Sequence, residues 1–204
     1  MKRTFYIMVK RVIDVVASVG ALLVLSPFLL VLAILIKKDG GPVFYSQERI
    51  GLHGERFRMW KFRSMRVDAD EIRERLLEQS DFDGPMFKMK EDPRVTKVGR
   101  FIRKHSIDEI PQFFNVICGH MSLVGPRPAL PVEYAEYCHE EAKRLFALPG
   151  ITGLWQVSGR SDLTFQEMID LDKEYIENQS FLMDVKIMLK TVWVMIDEGS
   201  SGAY

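Results

Sequence analysis

Two adjacent carboxylates, Asp108 and Glu109, stand in the run Ser106-Ile107-Asp108-Glu109-Ile110-Pro111, with cations on both sides. Arg100, Arg103 and Lys104 precede them, and Arg127 follows in the rigid turn Pro126-Arg127-Pro128. Proline is tolerated only in the first turn or so of a helix, so Pro111 requires a helix that starts near Ser106 to Asp108. Ser106 followed three residues later by Glu109 matches a capping box. The acidic pair therefore falls at a helix N-terminus, where free N–H groups and partial positive charge also favour phosphate. Capping and dipole complementarity alone account for two acids in that place. The cations add a second reading. They hold carboxylates ionised at neutral pH, and they attract phosphate oxygens, arginine through a bidentate fork. A carboxylate beside such an anion pocket can ligate Mg²⁺ or attack phosphorus directly.

The chain that must position this pair has 204 residues, and its 28 Lys+Arg balance 28 Asp+Glu. No acidic or basic partner follows from the total; the basic residues cluster instead at the N-terminus and between Arg49 and Arg66. Cys118 and Cys138 form no metal-ligand spacing and read as reduced thiols of a cytosolic domain. From Val15 to Ile36 no charge interrupts an apolar run long enough to span ~30 Å of hydrocarbon. Lys10 and Arg11 flank it on one side, Lys37 and Lys38 on the other, so both ends ask for the cytosolic side. Ser26-Pro27 sits in its middle. Pro27 would orphan the carbonyl of Leu23, and the Ser26 hydroxyl can reach back to cover it. A re-entrant helix-break-helix satisfies these features, and a kinked transmembrane helix remains the alternative. A cleaved signal peptide lacks its small-residue cleavage site.

Past the turn cluster Asp39-Gly40-Gly41-Pro42, Val43 to Glu48 and Glu55 to Phe62 read as two short strands joined through Gly51-Leu52-His53-Gly54. Cations and aromatics interleave over Arg56 to Arg66, which suits a solvated strand face, a phosphate or membrane contact, or a nucleic-acid stacking platform. Helices are expected over Asp68 to Gln79, Thr96 to Lys104, Pro131 to Leu148, Phe165 to Asn178 and Phe181 to Asp197. The last has an apolar body that fits either a core or a membrane interface. The fold class is α+β: a membrane anchor over 1–38, and over 39–204 a small, mainly helical cytosolic domain with a short β-hairpin and amphipathic helices.

The run "SIDEIPQFFNVICGHMSLVGPRP", with "MWKFRSM" before it and "PGITGLWQVSGRS" after it, resembles the bacterial sugar transferase family, the monotopic polyprenyl-phosphate phosphoglycosyl transferases. The likeness runs from the Ser-Pro segment to the C-terminal "GAY". It implies a re-entrant anchor broken at Ser26-Pro27, with the enzyme on the cytosolic face of the bacterial inner membrane. It implies transfer of a sugar-1-phosphate from a UDP-sugar to undecaprenyl phosphate, with release of UMP. Asp108 falls at the position of the nucleophile and Glu109 at that of the Mg²⁺ ligand, with Asp108 sharing the ion. Arg103 and Arg127 fall where family members hold phosphate oxygens, and Lys61, Arg63 and Arg160 are weaker carry-overs. The wording is nearer to members using UDP-glucose or UDP-galactose, which serve capsule, exopolysaccharide or O-antigen assembly. The chain begins close to the anchor, as a minimal form or the core of a longer relative would. Oligomeric state is open, a homodimer included. The rival from another class is a non-enzymatic membrane scaffold with a basic hairpin, which leaves an acidic pair among arginines without a purpose; nucleic acid is not an expected partner.

Overall fold

The structure, a computed structural model, describes residues 2–69, 71–72 and 92–196. Its first element, α1 (Lys2–Lys38), is one helix of 37 residues with Pro27 inside. The Ser26 hydroxyl donates to the Leu23 carbonyl at 2.8 Å, the repair expected for the acceptor that proline orphans. Thr4–Lys38 is the one helix among the described residues long and apolar enough to cross a membrane. Leu23, Val24, Leu30 and Val31 along its middle are all more than half exposed.

Both ends of α1 grip the rest of the chain. Near its start, Tyr6 and Lys10 donate to Asp184 at 2.7 and 2.9 Å, and buried Asp14 accepts from Ser122 at 2.6 Å. Arg11 donates to the carbonyls of Val116 and Ile117. Near its end, Leu32 and Ile36 are buried with Phe62 and Ile102, and Ile107 and Ile110 pack against them. Lys37 and Lys38 complement the negative end of the helix dipole.

The hairpin forms as expected. β1 (Phe44–Ile50) pairs antiparallel with β2 (Arg56–Phe62), Tyr45 opposite Lys61. Strand alternation puts Phe57 and Met59 inward, and Lys61 continues that face. α2 (Lys97–Lys104) starts at Thr96, whose hydroxyl accepts from Gly99 N. A 3₁₀ turn, Ile107–Glu109, leads into α3 (Gln112–Cys118). β3 (Ser122–Val124) pairs in parallel with β4 (Gly150–Thr152). Between them lie α4 (Pro131–Ala135) and α5 (His139–Ala142). α6 (Phe165–Asn178) and α7 (Phe181–Ile196) close the described chain. Tyr175, Ile176 and Ile187 from these two helices bury Val124 of β3.

Two expectations change, and a third is refined. The single helix over Pro131 to Leu148 is two short helices followed by a 3₁₀ turn, Lys143–Phe146. Glu133 caps the Leu130 N–H and Glu141 caps the Cys138 N–H, so a new N-terminus forms at each. Ser106 and Glu109 form no capping box: Ser106 is left-handed (φ 52°) and offers no side-chain cap. The α3 helix proper begins after Pro111, and Glu109 is bound elsewhere. α7 buries Asp184, Ile187 and Val194 on one face while Leu189, Val192, Trp193 and Ile196 stay exposed on another, so it has both a core side and an apolar outer side. The helix expected over Asp68 to Gln79 lies largely outside the described residues.

Candidate active site

Asp108 and Glu109 sit side by side on the 3₁₀ turn that feeds α3, and their environments differ. Asp108 is buried, 9% exposed. Burial, reinforced by the Glu109 charge, lifts its carboxyl to about 6, although Lys61 and Arg103 pull the other way. The surrounding cations were expected to keep both acids ionised at neutral pH; for Asp108 desolvation outweighs their pull and raises the carboxyl, which at about 6 is still mostly ionised there. For Glu109 burial also pushes upward, yet Lys61, Arg127 and Arg49 more than offset it and hold the carboxyl below its usual range. Lys61 Nζ donates to Glu109 Oε1 at 2.6 Å, and that bond is why Glu109 does not reach back to Ser106. Neighbouring groups with divergent pKa values are the usual mark of divided chemical roles.

A buried amide sets this geometry. Asn115 of α3 is 2% exposed. Its Oδ1 accepts from Trp60 N at 3.0 Å, and its Nδ2 donates to Arg58 O at 2.7 Å. The amide thus fixes α3 to β2 beside Lys61, and so fixes Lys61 against Glu109.

The remaining cations approach from separate elements. Arg103, in the last turn of α2, acts on Asp108. Arg127 and Arg160 act on Glu109 from the turn after β3 and from the 3₁₀ turn Arg160–Asp162. Ser106 and Arg160 are two of the three non-glycine residues with positive φ among the described residues. Such strain gathers where function holds a backbone in place. Arg63 is not brought to the pair: it is buried, and its Nη2 donates to the Ile36 carbonyl at 2.9 Å, securing the end of α1. Ser26 and Pro27 lie in the apolar middle of α1. Arg49 was not singled out in the sequence, yet it reaches Glu109 electrostatically and lies beside Arg127. Its only signal is a cation at an inward strand position, before Ile50.

The two adjacent carboxylates fit what a Mg²⁺ ion would need from the protein. Among the described residues no group of three or more His, Cys, Asp or Glu side chains converges. Two carboxylates with substrate phosphates and water suffice for Mg²⁺, and Asp108 and Glu109 supply that pair.

Residues 5–198 match the family described as bacterial sugar transferase. The chain belongs to that family. The chain is 48% identical over 192 residues to the galactosyl transferase CpsE of Streptococcus agalactiae, covering 94% of this chain and 43% of the relative. It is 43% identical over 199 residues to the undecaprenyl-phosphate galactose phosphotransferase of Salmonella typhimurium, covering 96% and 41%. It is 42% identical over 190 residues to the exopolysaccharide production protein ExoY of Rhizobium meliloti, covering 91% and 84%. The chain thus spans about two fifths of the first two relatives and most of the third.

Proposed function

We propose that this chain transfers a hexose-1-phosphate from a UDP-sugar to undecaprenyl phosphate, with Asp108 as nucleophile. The observation that carries the reading is a buried Asp108, lifted to about 6, beside a Glu109 held ionised by Lys61 and faced by Arg103, Arg127 and Arg160. A carboxylate of raised pKa is a better nucleophile than an ordinary one, and near neutrality it is still mostly ionised.

In the first step an Asp108 oxygen bonds the donor's sugar-bearing phosphorus. The bond from that phosphorus to the UMP oxygen breaks, and UMP leaves with the electron pair. In the second, an acceptor phosphate oxygen attacks the same phosphorus, and the Asp108 carboxylate is released. The product is a sugar joined to the lipid by a diphosphate. The covalent stage lets two polyanions visit one site in turn, so ping-pong kinetics follow. The arginines stabilise charge on the transferring phosphoryl group. Asp108 and Glu109 are the residues that would hold Mg²⁺, which when bound supplies further charge neutralisation there.

The anchor is re-entrant in this reading, and the active site lies at the cytosolic face of the bacterial inner membrane. Along a straight helix Arg11 and Ile36 would stand about 38 Å apart. Yet Arg11 binds the carbonyls of Val116 and Ile117, and Ile36 shares a cluster with Ile110. The near-helical chain from Ile110 to Val116 spans only about 9 Å. A bend at Ser26-Pro27 reconciles these contacts, and the basic flanks place both ends on one side. The acceptor's phosphate then lies at the level of the pair. The relatives' names favour galactose or glucose as the donor's sugar.

The test is UMP release across a panel of UDP-sugars with undecaprenyl phosphate as acceptor. The reading expects release with UDP-galactose or UDP-glucose and its loss in Asp108→Asn. Full turnover by Asp108→Asn removes the nucleophile assignment.

A further inference from the structure

The Pro126-Arg127-Pro128 turn has an unusual accounting problem. Proline has no backbone N–H, so these three residues hold one donor and three carbonyls. Buried carbonyls need partners, and here each finds one. Pro126 O accepts from Gly150 N at 2.8 Å. Arg127 O accepts from Arg144 Nη2 at 3.2 Å. Pro128 O accepts from Arg49 Nη1 at 3.1 Å. The series continues at Ala129, whose carbonyl accepts from Ile50 N at 2.9 Å. Four consecutive carbonyls are tied to three different segments, β4, the 3₁₀ turn Lys143–Phe146 and β1, and those of Arg127 and Pro128 are tied by buried arginines.

Both arginines are themselves held. Arg144 is 6% exposed; it donates to Asp172 Oδ2 and to the Tyr137 hydroxyl. Arg49 is 5% exposed, and its other terminal nitrogen donates to Gln47 Oε1 at 2.9 Å. A guanidinium carries five donors in a fixed plane, so one side chain can serve a carbonyl and a second partner at once; an ammonium has no such fork.

We propose that Arg49 and Arg144 are positioning residues that hold the Pro126-Arg127-Pro128 turn through two of its carbonyls, so that the Arg127 guanidinium stays within electrostatic reach of Glu109, where it would meet the donor's diphosphate. The inference rests on the transferase reading for what Arg127 meets. Packing alone does not call for this arrangement. Arg49 and Arg127 are like charges close enough to push the Arg49 guanidinium down to about 10, burial being the larger cause. Setting cations together opposes folding, and an arriving anion offsets that repulsion by attracting both. Asp172 forms its ion pair with Arg144, and its charge also reaches Arg127.

A double-mutant cycle on UMP release, with donor and no acceptor, tests the relay. Arg127→Ala should lower the second-order rate constant of this single-turnover release about a hundredfold, the scale of losing one oxyanion-type donor. Arg144→Lys, which keeps the charge and loses the fork, should lower it about tenfold. Combined with Arg127→Ala it should cost no more than about twofold further. Arg49→Lys should behave in the same way. If Arg144→Lys folds poorly, Asp172→Asn takes its place in the cycle. Hydrogen exchange supplies a readout independent of activity: Arg144→Lys should speed exchange in the peptide over 122–130 and leave α2 and α3 unchanged. Full additivity of the two substitutions, or unchanged exchange in that peptide, overturns the proposal. Faster exchange there, with no UMP release from the unsubstituted protein on any UDP-sugar, keeps the clamp and removes the transferase reading.

Discussion

The first half-reaction should lose rate as pH falls through about 6. Asp108 acts as the ionised carboxylate, and its folded pKa is raised to about 6. A raised carboxylate is protonated at a higher pH than an ordinary one, so the active form disappears earlier on acidification. At pH 7 about nine tenths of the sites would be ionised and at pH 5 about one tenth, so the second-order rate constant of single-turnover UMP release should fall about tenfold between them. An ordinary aspartate near 3.9 would stay more than about nine tenths ionised throughout and give a flat profile. The assay omits the acceptor, because a lipid phosphate titrates near this range while the donor's diphosphate does not. Lys61→Met sharpens the test. Lys61 is the leading influence that lowers Asp108, and one charge lost at an effective dielectric of ~20 is worth about 1.4 kcal/mol or more. The acid limb should therefore move up by on the order of one pH unit. A flat profile from pH 5 to 7, or an acid limb that moves down in Lys61→Met, would refute the burial argument for Asp108.

Other consequences follow from single contacts. Glu109→Gln should raise the Mg²⁺ concentration needed for half-maximal UMP release by tenfold or more, read from a metal titration after chelation. Asn115→Ala leaves Trp60 N–H and Arg58 C=O without partners; at roughly 1–2 kcal/mol for each, it should cost about 2–4 kcal/mol, seen as a lower midpoint of thermal unfolding in nanodiscs. A cysteine at Lys2 should resist a membrane-impermeant reagent added outside intact cells and react after lysis. Labelling from outside would exclude the re-entrant anchor.

The parts legible from the sequence were those governed by neighbours along the chain. Strand alternation gave the hairpin, and Ser26 beside Pro27 gave the bond to Leu23. Asp108 and Glu109 stood out because acids, cations and Pro111 share one short run. What escaped notice depends on chain far away in sequence. Ser106 and Glu109 look like a capping box whether or not Lys61, on another element, takes the carboxylate. Nearby cations were visible, but the burial that raises Asp108 above its ordinary pKa was not. Arg49 and Asn115 acquire their roles only when β1, β2 and the loops fold together. Between Pro131 and Leu148 the apolar pattern suggested one helix, and two glutamates capping two backbone N–H groups divided it.

The most direct test of the central claim is the mass of the protein after mixing with UDP-sugar in the absence of acceptor. Digestion should yield a peptide containing Asp108 heavier by one hexose phosphate; the gain should be lost in Asp108→Asn and discharged when undecaprenyl phosphate is added. UMP release without any such adduct, or an adduct on a different residue, would contradict the account.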